Sequence, residues 1–160
     1  MVNRRFFLKA GFLSSAVFVM GGCELFSVTT PMQTIKILQY DLFPHSKTLN
    51  IDVNKYFQII QNHSRIDEDD KSYIKKGVKW LNEEAVELFD NTYVTLDSNQ
   101  RQIVLKSISQ KRWGERFIDV MLTYIMEAVF SDPIYGVSSG DGWRWLNFQA
   151  GLPQPKEALL

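Results

Sequence analysis

Residues 115–130, Glu-Arg-Phe-Ile-Asp-Val-Met-Leu-Thr-Tyr-Ile-Met-Glu-Ala-Val-Phe, carry apolar side chains at Phe117, Val120, Met121, Tyr124, Ile125 and Ala128. Steps of three and four put these on one face of a helix at 3.6 residues per turn. The stretch is the most apolar of its kind in the chain, which predicts the central helix of an all-α domain. Asp132-Pro133 ends it, because the residue before a proline is pushed out of helical geometry. Glu127, near that end, is expected to cap the following loop by accepting backbone N–H groups, with a buried catalytic acid as the alternative.

Upstream, the same period recurs. Asp97 with Gln100 spells a capping box for a helix through Ile103, Val104 and Ile108, and residues 110–114 read as a bend. Residues 91–96, with β-branched Thr92, Val94 and Thr95, interrupt the pattern. Before them Ile74, Val78, Leu81, Ala85 and Leu88 form an apolar stripe, with Lys75, Lys76 and Lys79 on its solvated side. The preceding acids, Asp67 to Asp70, lack the alternating ligands and central glycine of a calcium loop and read as a helix cap. Residues 52–61 place Val53, Phe57 and Ile60 on one face of a further helix, with His63 at its exposed end.

The predicted fold is therefore all-α: a small domain of about four helices over residues 51–160, with an irregular aromatic C-terminal segment. Residues 24–50 read as a linker around Thr29-Thr30-Pro31 followed by a short extended or helical piece, with Ile35, Ile37, Leu38 and Leu42-Phe43, that Pro44 stops. His45 has no second ligand at metal spacing and reads as an exposed turn histidine.

Residues 1–23 have the pattern of a signal peptide. Arg4-Arg5, then Phe7-Leu8-Lys9, precede an apolar run from Ala10 to Gly22 that is shorter than the roughly 20 residues of a membrane span. The paired arginines match the twin-arginine export consensus. Cys23 follows Gly21-Gly22 as in a lipobox, where the thiol would be lipidated; an unmodified thiol near a conventional cleavage site is the alternative. As the sole cysteine, it excludes an internal disulfide and Cys-x-x-Cys-His haem attachment.

Lys plus Arg equals Asp plus Glu at 18 each, and losing Arg4, Arg5 and Lys9 with the signal leaves 15 against 18. A net charge near −3 argues against nucleic acid as a partner. No Gly-x-Gly-x-x-Gly loop, metal constellation or nucleophile with a paired histidine is legible. No catalytic, cofactor-binding or metal-binding residue is expected in this chain, and enzymatic use of Glu127, Asp132 or Asp141 is the least favoured reading.

Five aromatic residues, Phe130, Tyr135, Trp143, Trp145 and Phe148, cluster between the last helix and the C terminus among Gly and Pro. Rigid aromatics on an irregular backbone give a docking surface large contact area at small entropy cost. A helix ending in Glu127-Ala128-Val129-Phe130-Ser131, followed by Asp132-Pro133-Ile134-Tyr135-Gly136 and by Gly142-Trp143-Arg144-Trp145-Leu146 and Phe148, resembles the gluconate 2-dehydrogenase subunit 3 family. The sequence departs from that family's pattern at Val137-Ser138-Ser139, where a second glycine and an asparagine are usual.

The resemblance implies a non-catalytic small subunit of a membrane-associated dehydrogenase acting on sugars or sugar acids. It further implies a large FAD-binding partner subunit, with electrons passed to a cytochrome c subunit carrying haem or to another acceptor. The twin-arginine translocase and the inner membrane complete the expected partners, with a periplasmic location. Partner contacts are expected at Asp132, Pro133, Tyr135, Gly136, Trp143, Trp145 and Phe148. For Trp143 and Trp145, packing within the domain competes equally with docking. A free-standing periplasmic sugar-binding lipoprotein, with Tyr135, Trp143 and Trp145 stacking on a sugar ring, is the alternative.

Overall fold

A computed structural model of the protein describes residues 31–148. These form six α-helices and no strand: α1 Pro31–Leu42, α2 Val53–Asn62, α3 Glu68–Phe89, α4 Ser98–Ser109, α5 Arg112–Val129 and α6 Asp141–Trp145. Three 3-10 turns, Pro44–Lys47, Tyr93–Thr95 and Pro133–Tyr135, join them. The all-α expectation holds, with two helices more than the pattern counted.

Helix α5 is central, as its apolar face requires. Phe117, Met121, Ile125 and Ala128 are fully buried, and α5 packs against each of the other helices. Around it stand Phe57 and Ile60 from α2, Ile74, Val78, Leu81 and Ala85 from α3, and Val104, Leu105 and Ile108 from α4. Burial of this continuous apolar surface is the main force holding the helices together. Gly77 lets α3 approach α5 closely, since a Cβ there would run into the Phe117 ring.

The helix starts follow local chemistry. Asp52 accepts the Lys55 N–H at 3.1 Å, and Asp67 accepts that of Asp69 at 2.8 Å. Asp97 and Gln100 close the predicted capping box in both directions, at 2.9 and 3.0 Å. Each cap pairs one of the N–H groups that a helix leaves without an internal partner.

Four expectations are settled, narrowed or corrected. Of the two forms open for the element before Pro44, extended or helical, the helix is the one present, and it is longer than expected: α1 runs for 12 residues from Pro31, and its Ile35 and Leu38 are buried. The bend or short link expected over residues 110–114 is confined to Gln110 and Lys111, because α5 already begins at Arg112. The aromatic C-terminal segment is not irregular throughout, because Asp141–Trp145 form α6. Leu88 and Ile103, placed on core stripes, are 42% and 52% exposed: the buried face of α4 runs through Val104, Leu105 and Ile108, and the buried residues of α3 end at Ala85.

Two buried polar clusters tie distant segments. The Asp41 carboxylate accepts from Tyr93 Oη at 2.8 Å and from Arg101 Nε and Nη2 at 2.7 and 3.2 Å, joining α1 to α4 through the Tyr93 turn. Burial first, then the Asp41 charge and hydrogen bond, push the Tyr93 hydroxyl far above the ordinary tyrosine range. In the other cluster, Glu84 of α3 accepts from Ser107 of α4 and from Lys111 at the start of α5. Burial acts to raise the Glu84 pKa, but the hydrogen bonds from Lys111 and Ser107 outweigh it and hold the carboxyl below its ordinary value.

Candidate partner-docking site

The C-terminal segment is built on the end of α5. Asp132 accepts the Ile134 N–H at 3.0 Å and so caps the turn Pro133–Tyr135. That corrects the reading of Glu127, which is exposed and accepts from Tyr56 Oη at 2.6 Å instead of capping the loop. Gly136 then takes φ +63, a left-handed conformation that favours glycine.

Val137-Ser138-Ser139, the departure from the family pattern, is integral to the domain. Val137 is 2% exposed, and its carbonyl accepts the Asp52 N–H at 3.0 Å, which ties this loop to the start of α2. Ser138 is buried, donates to the Ser131 carbonyl at 3.1 Å and accepts the Gly140 N–H at 3.3 Å. These bonds turn the chain back across α5.

Helix α6 lies on that end of α5 because Gly142 leaves no side chain between it and the Val129 carbonyl. Asp141 anchors its first turn. Hydrogen bonds from Ser139 and then Arg144 hold its carboxyl below the ordinary range. Trp143 turns inward: its indole N–H donates to the Phe130 carbonyl at 2.9 Å, and its ring lies 5.0 Å from Phe130 and 5.5 Å from Phe148. Trp145 turns elsewhere, 5.8 Å edge-on to Phe43 and 5.4 Å from His45.

The two tryptophans thus have different tasks. In a helical turn, residues two apart do not share a face. Trp143 locks the segment to its own domain, whereas Trp145, 44% exposed, joins Leu146 at 51% and Phe148 at 56% in an open apolar patch bordered by Phe43 and His45. Large apolar side chains exposed together in one short segment mark interaction sites. Of the expected contact residues, Asp132 is occupied in capping and Pro133 and Gly136 are exposed on the loop. Tyr135 is half-buried in a different place, a groove of about 730 Å³ between α2 and α5 that Tyr56, Tyr124 and Glu127 also line. There, burial first and then Glu127 raise the Tyr56 hydroxyl well above its ordinary value.

Phe43 and His45 were not among the expected contact residues. His45 is exposed on a turn, as its isolation implied, yet it also stacks with Trp145 across a separation of 100 residues. Leu42-Phe43-Pro44 marked the position but not the pairing. The export residues Arg4, Arg5, Phe7, Leu8 and Lys9, and Cys23, lie outside the described residues. No described helix is long and apolar enough to cross a membrane.

A family model described as gluconate 2-dehydrogenase subunit 3 matches residues 31–151, the greater part of the 160-residue chain. Its span takes in every described helix. No curated protein and no solved structure gives a match.

Proposed function

The chain belongs to the gluconate 2-dehydrogenase subunit 3 family, and from that premise we propose that it is the non-catalytic small subunit of a membrane-associated, FAD-dependent sugar or sugar-acid dehydrogenase. Membership makes it a small subunit that associates with other dehydrogenase subunits. In this reading the large subunit carries FAD and the substrate site, and a cytochrome c subunit takes the electrons. The small subunit brings the large one across the inner membrane on its twin-arginine signal and holds it on the periplasmic side through a lipid on Cys23.

The observation that carries the docking part of this reading is the apolar patch of Trp145, Leu146 and Phe148. An aromatic with one face packed and the other open gives contact area with little further loss of side-chain freedom. Trp145 is held in this way by Phe43 and His45. The export part rests on the pairing of Arg4-Arg5 with Phe7-Leu8-Lys9.

Purifying the tagged protein from membranes tests the whole reading. A co-purifying large subunit with a flavin spectrum is expected, and Arg4→Lys with Arg5→Lys should strand that subunit in the cytoplasm. A monomer that binds sugar and carries no flavoprotein would overturn the proposal in favour of a binding lipoprotein. Export of the large subunit unchanged by the arginine substitutions would remove the carrier role.

A further inference from the structure

A second groove, of about 810 Å³, lies between α1, the start of α2 and the loop at residues 136–139. Its lining is mostly polar and contains a mismatch that the domain leaves unresolved. Gln39 is 1% exposed, yet its Nε2 has no hydrogen-bond acceptor among the described residues. Asn54 lines the same groove, and its shielded Oδ1 has no donor. Buried polar atoms in folded proteins are nearly always paired, so an orphan donor and an orphan acceptor in one groove call for a common explanation.

The groove also holds two cations. Lys36 and Lys55 are exposed on its walls and form no ion pair among the described residues. Lys55 Nζ lies against Gly136, where a Cβ would collide with it. Ser139, in the stretch where the chain departs from its family, stands on the same wall. The one carboxylate there, Asp52, is already engaged in capping α2.

Resting on the reading of this chain as a docked small subunit, we propose that this groove receives an extended, acidic segment of the partner subunit's polypeptide. The unpaired Nε2 of Gln39 and Oδ1 of Asn54, shielded in this conformation, meet the C=O and N–H of a peptide backbone once their side chains turn toward the groove. Lys36 and Lys55 complement carboxylate side chains along it. Sites for small molecules are enclosed and lined mainly by apolar groups; this groove is polar and open to solvent, which favours a chain segment over a free acid. The loop at residues 136–139 forms one wall, so its side chains bear on which partner is accepted.

The test uses the full chain purified with its partner subunit. A photo-crosslinking residue at Ser139 should form an adduct with an acidic segment of the partner, located by mass spectrometry. Lys36→Glu with Lys55→Glu should weaken the complex at least tenfold and flatten its salt dependence. Gln39→Leu should weaken it too, while leaving the melting temperature of the isolated subunit unchanged or higher, because an unpaired buried amide is removed. A fall in melting temperature with no change in affinity would mean that Gln39 is only structural, and overturns the inference. So does a complex indifferent to the lysine reversals with no adduct at Ser139, a result that leaves docking through Trp145 intact. If no dehydrogenase subunit co-purifies at all, the parent reading falls, and this one with it.

Discussion

Replacing Arg101 with Met isolates the energetics of the cluster that joins α1 to α4. The Asp41 carboxylate, its side chain 7% exposed, loses both guanidinium contacts and retains only the Tyr93 hydroxyl. Leu96 also loses the Arg101 Nη1 donor to its carbonyl, held at 2.6 Å. Removing one partner of a buried pair leaves an uncompensated charge and costs about 3–5 kcal/mol. For a domain of this size, about 3 kcal/mol lowers the melting temperature by roughly 10 °C. Thermal unfolding followed by far-ultraviolet circular dichroism reads this directly. The reasoning further requires that Asp41→Leu combined with Arg101→Met and Tyr93→Phe recover most of the loss, since apolar groups of similar volume do not need the missing partners. A drop below about 3 °C for Arg101→Met, or a triple variant less stable than the single one, would refute it, because at a few degrees per kcal/mol the penalty of a lone buried charge is too large to hide.

The remaining predictions follow the other contacts. The Glu84 pKa is held below its ordinary value of 4.5, so its contribution to stability is complete above that value and is lost as pH falls through the lowered folded value. The stability gap between the protein and Glu84→Gln, measured by urea unfolding, should therefore be constant near neutrality and shrink below about pH 4.5. Gly142→Ala forces a methyl group against the Val129 carbonyl and should cost about 1–3 kcal/mol, with Trp143 fluorescence shifting to the red as α6 lifts from α5. Trp145→Ala should weaken binding of the partner subunit about tenfold or more, the scale of an aromatic hot spot, with little change in melting temperature. Trp143→Ala should do the reverse, lowering the melting temperature as the bond to the Phe130 carbonyl and the Phe130 contact are lost.

Much of this architecture was legible in the chain. Apolar residues at steps of three and four, and the short-range caps at Asp67 and Asp97, placed α2 to α5 to within a few residues, because both signals act within one or two turns of the same helix. Helix α1 was legible only as a short piece, extended or helical, because its buried face includes Thr34 and Gln39, which break the apolar stripe. Thr34 is accommodated only because Asn82 Nδ2 donates to it at 3.3 Å from α3, a partner 48 residues away. Likewise, nothing local marks Ile103 as exposed or Val137 as buried. Burial is settled by what packs against a residue, and that neighbour comes from elsewhere in the chain.

The aromatic C-terminal segment divides in the same way. Its composition, its Gly and Pro punctuation and its family likeness are properties of the sequence by itself, and they sufficed to mark it as the candidate docking element. Which tryptophan packs inward and which one stays open at the surface was decided by the tertiary structure alone. Gly142 seats a short helix on α5; the Phe130 carbonyl takes the Trp143 indole; and Phe43 and His45, 100 or more residues away, hold Trp145 at the surface. Two equal side chains two positions apart acquire opposite roles because a helical turn points them at different neighbours, and only the folded chain supplies those neighbours.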